Sequence, residues 1–247
     1  MVDRVSTGIS GFDKLIEGGL PKGSITLISG TPGTGKSIFC SQIVYTNALK
    51  GKKCLYLNLE QNEGRLEAQM KQFGLDPEKV KSNLKIRAAD SSNVETIRYI
   101  LDAIRETNYD LIVLDSLDSI SSTPFEGEKL GKMGFEKIAE GIVPTPLDAP
   151  TIGRMKLKKI FTAIAESKAT ALVTSERVEG AQGISRDTIS EFLCDGIIVL
   201  TFSSAAGGGN RTLEIRKMRL TDFAEGIVPL DFAKGGIKVT PLEEERL

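Results

Sequence analysis

Histidine is absent from this chain of 247 residues. Its absence excludes Ser-His-Asp hydrolases, cysteine–histidine proteases and every metal site that depends on histidine ligands. Any side chain that transfers a proton must therefore belong to an aspartate, glutamate, lysine, tyrosine or cysteine. The search for chemistry starts with carboxylates and with the cations near them.

Cysteine is scarce as well. The chain has three, Cys40, Cys54 and Cys194, which lie far apart and form no C-x-x-C pair. An odd number at such spacing argues against a disulfide framework or a zinc site and favours a reducing cytosol. We expect these thiols to be small buried hydrophobic groups.

The chain also lacks a long apolar run and an excess of charge. No stretch approaches the ~20 apolar residues of a membrane-spanning helix, and residues 1–4 are not followed by a signal-peptide core. The formal net charge of −1 provides no overall basic field for nucleic acid. We expect residues 1–247 to form a single soluble, cytoplasmic α/β domain with no membrane partner.

A glycine-rich run carries the clearest functional signal. It matches G-x-x-x-x-G-K-[ST], the Walker A pattern, with Gly30, Thr31, Pro32, Gly33, Thr34, Gly35, Lys36 and Ser37. Its glycines let backbone N–H groups turn toward one anion, while the lysine reaches the β- and γ-phosphates and the serine can bind Mg²⁺. We predict that the run and the following Ile38 bind a nucleotide. The alternative is a glycine-rich turn with a surface lysine.

Strand-like and helix-like runs alternate around this loop. Apolar or β-branched runs predict strands at residues 25–29, 53–59, 84–87, 111–114 and 170–174. Helical patterns occupy residues 37–50, 62–73, 93–107 and 154–167. The alternation predicts a mainly parallel, twisted sheet with helices on both faces.

The C-terminal part changes character. Residues 196–202 and 211–218 flank the turn-like run at 207–210 and predict a hairpin, with short strands at 227–232 and 236–239. We therefore predict antiparallel strands added to one edge of the parallel core. Residues 121–153 are rich in proline and glycine, so we predict an irregular segment that is mobile or holds one short helix around residues 135–139.

Two carboxylates follow predicted strands and are expected at the carboxyl edge of the sheet, where open α/β sheets bind ligands. Asp115 is the candidate for orienting the Mg²⁺ shell, with a water molecule between the carboxylate and the ion. Glu60 is the candidate base for the attacking water. A helix-capping or turn role is the alternative for both. Glu176 follows another strand and is a weaker candidate.

The segments before and after the loop resemble KaiC-like ATPases of the RecA superfamily. The resemblance is carried by STGISGFD at residues 6–13 and GGLPKGS at 18–24, and it resumes with EFLCDGIIVL at 191–200 and KMR at 217–219. It spans nearly the whole chain and is poorest over residues 121–153.

The resemblance implies a RecA-like P-loop core, binding of ATP or ADP with Mg²⁺, and ring hexamers with nucleotide at each subunit boundary. By the same resemblance, Lys217 and Arg219 would reach the nucleotide of a neighbouring copy, and Thr221 would also approach it. A cation at the γ-phosphate stabilises the transferring group. The alternative is that these side chains pair with carboxylates of their own surface.

Two departures from the family pattern qualify the prediction. The family has adjacent glutamates after the second strand, whereas this chain has Glu60 and Gln61, so hydrolysis is predicted but its rate is open. Autophosphorylating domains of this family have Ser-Thr before the late strand, whereas here the pair is Ser190 and Glu191. Autokinase activity at Ser190 is therefore not favoured.

Three functions remain open on the sequence. The favoured one is an oligomeric ATPase. A recombinase-like role on nucleic acid would use the basic run at 154–159 and the glycine-containing stretch at 178–190, but only Phe161 lies nearby for stacking. A nucleotide-sensing module with negligible hydrolysis would follow from Gln61. No protein partner can be named.

Overall fold

The computed structural model describes residues 2–93, 95–122, 149–178, 183–205 and 208–241. Most of the segment predicted to be irregular, including the short helix predicted at residues 135–139, lies outside the described residues.

One nine-stranded sheet forms the centre of the fold, in the order β11-β10-β9-β8-β3-β7-β6-β4-β5. A separate antiparallel pair, β1 and β2, lies near the N-terminus. The strands are β1 (Arg4–Val5), β2 (Leu20–Pro21), β3 (Ile25–Gly30), β4 (Cys54–Asn58), β5 (Leu84–Ala88), β6 (Leu111–Asp115), β7 (Thr170–Glu176), β8 (Gly196–Ala205), β9 (Gly208–Met218), β10 (Ile227–Ala233) and β11 (Gly236–Val239).

Helices connect the strands. They are α1 (Lys36–Leu49), α2 (Glu63–Gln72), α3 (Thr96–Arg105), α4 (Leu117–Ser122), α5 (Ala149–Ser167) and α6 (Ser190–Leu193), with 3₁₀ turns at Asp13–Ile16 and Pro77–Val80. Local chemistry explains one boundary: the Asn62 side chain accepts a hydrogen bond from the Arg65 N–H at 2.9 Å, which caps α2. At α1, the glycine before the helix supplies a positive φ instead of a side-chain cap.

The sheet is covered on both faces. Successive strand residues point to opposite sides, so Ile28 packs into a core beneath α1 and α2, and Leu27 packs into a second core formed with α3 and α5. Both side chains are completely buried. Two-sided burial explains why the central strands are continuous apolar runs in the sequence.

The predicted fold is confirmed in its main features. Strands β8, β3, β7, β6, β4 and β5 run parallel, and β9, β10 and β11 extend the sheet as antiparallel strands. One detail differs. Strand β9 begins at Gly208, so the turn-like residues 208–210 belong to a strand, where Asn210 pairs with Ser203. Long two-strand pairing overrides the local turn signal here.

The parallel direction gives the sheet two distinct ends. The carboxyl ends of β3, β4, β6 and β7 lie at one end, which we call the phosphate-loop edge. The start of β8 and the end of β9 lie at the other, together with residues 217–221, and we call this the cation edge.

Candidate functional site

The loop that follows β3 requires its glycines. A Cβ on Gly30 would lie 2.4 Å from the backbone oxygen of Leu200. Gly33 and Gly35 adopt φ values of 78° and 105°, a region that residues with a Cβ rarely enter. The sequence therefore folds this loop tightly between β3 and α1, and the loop ends at the N-terminus of a 14-residue helix.

Lys36 folds back over the loop. Its Nζ donates hydrogen bonds to the backbone oxygens of Gly30 at 2.8 Å and Thr31 at 3.2 Å. An ammonium group has three N–H donors, so it can hold the loop and still serve an anion. The first N–H groups of α1 and its positive dipole end act at the same place.

Asp115 ends β6 and is held at both carboxylate oxygens. The Tyr56 hydroxyl donates to Oδ2 at 2.7 Å, and the Thr174 hydroxyl donates to Oδ1 at 2.5 Å. Only 4% of Asp115 is exposed. Donors from β4 and β7, the two strands that flank β6, therefore fix the orientation of this carboxylate.

The tyrosine in this arrangement stays protonated. Complete burial raises the pKa of Tyr56 well above its ordinary value, and the negative charge of Asp115 raises it further. The hydroxyl is thus a permanent donor to the carboxylate. Sequence analysis missed Tyr56 and Thr174 because nothing in a strand's apolar pattern shows which side chains meet across strands.

Glu60 lies at the same edge, just beyond β4. Its Oε1 accepts a hydrogen bond from the Ser116 hydroxyl at 2.5 Å, and its backbone N–H donates to Asn58 Oδ1 at 3.1 Å. The Asn58 oxygen also accepts from the N–H of Gln61 at 3.1 Å. The glutamate is exposed to solvent, so an accessible carboxylate, bonded to Ser116, stands on a turn that Asn58 holds in place.

The donor atoms at this edge suit magnesium and phosphate. Ser37 and Asp115 offer hydroxyl and carboxylate oxygens, the ligand type that Mg²⁺ prefers. Asn58 pairs with Asp115 across β4 and β6, and its buried Nδ2 has no hydrogen-bond partner among the described atoms. A buried amide donor without a partner is costly, and a phosphate oxygen or an ordered water would satisfy it.

Two residues beside the loop were not predicted. Arg211 donates from Nε to the Gly33 oxygen at 3.3 Å, and its guanidinium lies 4.4 Å from the ring centre of Phe232 and 4.6 Å from that of Phe202. Arg211 and Phe232 also line a cavity of about 340 Å³ between β9 and β10. The sequence placed both in ordinary strands, and only the folded sheet brings them to the loop.

Glu176, the weaker candidate, is engaged elsewhere. Its carboxylate pairs with Arg186 at 3.6 Å, and its N–H donates to Asp118 Oδ2 at 2.5 Å. Burial raises the pKa of Asp118, although its hydrogen bonds partly oppose this. The residue lies at the phosphate-loop edge, as expected, within a separate group of charges.

At the cation edge, all three predicted side chains bind groups of their own copy. Lys217 Nζ donates to the backbone oxygens of Cys194 at 2.6 Å and Glu191 at 3.3 Å. Arg219 pairs with Asp195 at 3.1 Å. Thr221 Oγ1 accepts a hydrogen bond from Arg4 at 2.8 Å.

The two edges are separated by the length of the sheet. Leu200 of β8 pairs with Gly30, at the start of the loop, whereas Gly196, four residues earlier in β8, pairs with Met218. At ~3.3 Å per residue, this separation along the strand is about 13 Å. The side chains of Lys217 and Arg219 contact residues 191–195, which precede β8, and so extend away from the loop.

Ser190 is completely buried. Its hydroxyl donates to Asp187 Oδ2 at 2.6 Å. Because the residue is buried, its hydroxyl is not exposed to a nucleotide in this structure. That autokinase activity is not favoured stays a prediction.

These features define a nucleotide-binding ATPase fold, and comparisons with known proteins specify the family. A family model described as "ATPase: KaiC" matches residues 5–133 and 141–244. The chain therefore belongs to the KaiC family of ATPases, as its resemblance implied, and is a nucleotide-binding protein of the RecA superfamily.

Individual relatives differ in length. The chain is 31% identical to circadian clock protein KaiC3 of Synechocystis over 98% of its own length and 46% of that protein. It thus spans about half the length of this relative. It is 29% identical to the UPF0273 protein MJ1359 of Methanocaldococcus jannaschii, covering 96% of each chain.

A solved structure supports the fold. The crystal structure of the KaiC-like protein PH0186 from Pyrococcus horikoshii has a TM-score of 0.79, with 31% identity over 98% of this chain and 100% of that one. Within the described residues, none of the helices combines the length and apolar character needed to cross a membrane.

Proposed function

We propose that residues 1–247 act as one ATPase domain that hydrolyses ATP with Mg²⁺ at the boundary between copies of itself, in a ring hexamer in the cytoplasm. One observation carries the proposal. The phosphate loop and the two carboxylates meet at one edge, while Lys217 and Arg219 stand about 13 Å away along the strands at the other. Cations in this position can reach a nucleotide bound to a neighbouring copy more readily than one bound to the same copy.

Each residue has a role in the proposed reaction. Residues 30–37 and the N-terminus of α1 bind the phosphates, and Lys36 neutralises charge on the β- and γ-phosphates. Ser37 and Asp115 would hold Mg²⁺, Asp115 through water, and the bound ion supplies further neutralisation of the phosphate oxygens. The Ile38 side chain is buried at the start of α1, so this residue would bind the phosphates through its backbone N–H.

Glu60 would orient and deprotonate the attacking water, because its carboxylate is accessible, its turn is held by Asn58, and its side chain is oriented by Ser116. Arg219, with Lys217, would stabilise charge on the transferring phosphoryl group of the neighbour, and Thr221 would approach the same nucleotide. In this state Arg219 would exchange Asp195 for the phosphate.

The nucleic-acid alternative has weaker support. Arg154, Lys158 and Lys159 are exposed along α5, but Lys156 in the same run is buried, and burial lowers its pKa. The run is therefore interrupted as a basic surface. Salt-dependent binding to single-stranded DNA would favour this alternative, and no detectable binding at low salt would remove it.

The proposal is tested by light scattering with and without ATP and Mg²⁺, followed by phosphate release on the same sample. We expect a ring-sized assembly and turnover that chelation of Mg²⁺ abolishes. Assembly without turnover above background would instead favour a nucleotide-sensing module. A monomer that hydrolyses ATP would overturn the interfacial site.

A further inference from the structure

Arg4 connects the start of the chain to the cation edge. It stands in β1, and its side chain is only 15% exposed. Although 217 residues separate them in sequence, Arg4 Nη1 donates to Thr221 Oγ1 at 2.8 Å. The proposed function gives this arginine no role, yet it contacts a residue expected to approach the neighbour's nucleotide.

The guanidinium of Arg4 holds two segments together. On the N-terminal side it donates to the backbone oxygens of Gly19 at 3.1 Å and Ile16 at 3.4 Å, and it pairs with the Glu17 carboxylate. On the other side it donates to the Leu220 oxygen at 3.1 Å, as well as to Thr221. A planar group with five N–H donors in a rigid fork can hold such a set, which a lysine cannot reproduce.

The turn at residues 219–221, to which Arg4 donates hydrogen bonds, has an unfavourable backbone conformation. Leu220 has a φ of 58°, and its side chain is 73% exposed, so no burial of that side chain stabilises the turn. A residue with a Cβ in this region costs roughly 1–2 kcal/mol. Hydrogen bonds from Arg4 to Leu220 and to its neighbour offset this cost and hold the turn directly after Arg219.

We infer that Arg4 is a positioning residue for the cation edge: it holds residues 219–221 so that Arg219 and Thr221 face the nucleotide of a neighbouring copy. The inference rests on the proposed function, because it requires that the cation edge complete a neighbour's site. Arg4 itself touches neither loop nor nucleotide.

Removal of Arg4 should release the turn and leave the fold intact. The backbone pairing of β1 with β2 does not use its side chain. A separate hydrogen bond from the Ala224 N–H to the Leu15 oxygen, at 2.9 Å, still ties the chain after the turn to the N-terminal segment. The phosphate loop lies at the opposite edge, so nucleotide affinity should not change.

The first test compares Arg4→Ala, Arg4→Lys and the control Arg98→Ala, whose arginine is exposed on α3. For Arg4→Ala we expect kcat to fall about tenfold or more, since small misplacements of catalytic groups cost up to ~100-fold, while the Kd for a fluorescent ATP analogue stays unchanged. Arg4→Lys should recover part of the loss and carries the test if Arg4→Ala does not fold. A general structural defect would instead weaken nucleotide binding and kcat together.

The second test determines whether loss of Arg4 impairs the cation edge or the phosphate-loop edge. Arg4→Ala and Lys36→Ala chains are co-expressed with different tags and purified through both tags, so that every assembly contains both. The Lys36→Ala chain has an intact cation edge, and the Arg4→Ala chain has an intact loop. With random head-to-tail mixing, about a quarter of the boundaries join these two intact halves, so activity should rise well above that of either variant alone.

Co-expression of Arg219→Ala with Lys36→Ala distinguishes a wrong inference about Arg4 from a wrong proposed function. If this pair complements but the Arg4→Ala pair does not, the inference about Arg4 is wrong and the interfacial site stands. If neither pair complements, or no mixed assembly can be purified, the proposed function is wrong and the inference falls with it.

Discussion

The charged side chains at the two edges of the sheet have different kinds of partners. At the phosphate-loop edge, the functional side chains are bonded to one another and to the loop: Lys36 to loop oxygens, Asp115 to Tyr56, and Glu60 to Ser116. At the cation edge, Arg219 is paired with Asp195, which lies outside the phosphate loop. At the first edge the candidate site residues are held by the loop and by neighbouring strands, and at the second the cations are held by their own surface.

This difference indicates what each edge needs for function. A site whose donors are already oriented reacts without reorganisation, and the phosphate-loop edge meets that condition. In the proposed function, the cation edge would have to exchange its local partners for a phosphate, which would cost part of the interaction energy. If the proposed interfacial site is correct, assembly would control turnover through the cation edge and leave nucleotide binding to the phosphate-loop edge.

The largest effect is expected from Lys36→Ala, which removes a cation from the phosphate loop. We expect hydrolysis to be abolished, a fall of more than ~1,000-fold, because charge on the transferring phosphoryl group is left unneutralised. Phosphate release with saturating ATP and Mg²⁺ measures it. Lys50→Ala, at the exposed far end of α1, is the matched control and should behave as the wild type. Equal rates for the two variants would contradict a phosphate-binding role for Lys36.

Arg219→Ala should show most clearly that the cation edge affects turnover and the phosphate-loop edge affects nucleotide binding. We expect kcat to fall by up to ~1,000-fold, the lower range for a cation supplied to phosphoryl transfer from a neighbouring chain, with nucleotide affinity retained. Phosphate release and analogue binding are measured on assemblies whose size is checked by light scattering, with Arg98→Ala as the control. Turnover at the wild-type rate in the assembled variant would show that the cation edge completes no site.

The smallest effect is expected from Tyr56→Phe, which removes one of the two donors that hold Asp115. Because one such hydrogen bond contributes about 1 kcal/mol, the Mg²⁺ concentration for half-maximal turnover should rise roughly fivefold, with kcat at saturating Mg²⁺ nearly unchanged. Tyr45→Phe, a buried tyrosine of α1, is the control. An unchanged magnesium curve for Tyr56→Phe would mean that Asp115 needs no such support.

Most of the fold was predictable because apolar runs and helical periodicity are local signals. Strand β6 and Asp115 at its end follow from four consecutive apolar residues and a polar one. The position of Glu60 follows in the same way from β4, and residues 30–37 carry a pattern that is recognisable without a structure. What each of these residues does in catalysis stays a prediction.

The contacts that support the site were not predictable. Tyr56 and Asp115 are 59 residues apart, and Arg4 and Thr221 are 217 residues apart. Strand order determines which distant residues come into contact, and the local patterns of a single sequence do not reveal strand order. For the same reason Arg211 and Phe232 could not be placed beside the loop until β9 and β10 were paired with the rest of the sheet.

The position of the loop and the cations at opposite ends of the sheet affects how many complete sites an assembly can contain. In the proposed assembly, a copy that presents a loop at one end and cations at the other would join its neighbours head to tail. An open row of such copies would always end in one loop without cations. Only closure into a ring matches every loop with a partner. If turnover per chain is measured as assemblies grow, it should rise with length in open rows and reach its maximum abruptly when the ring closes.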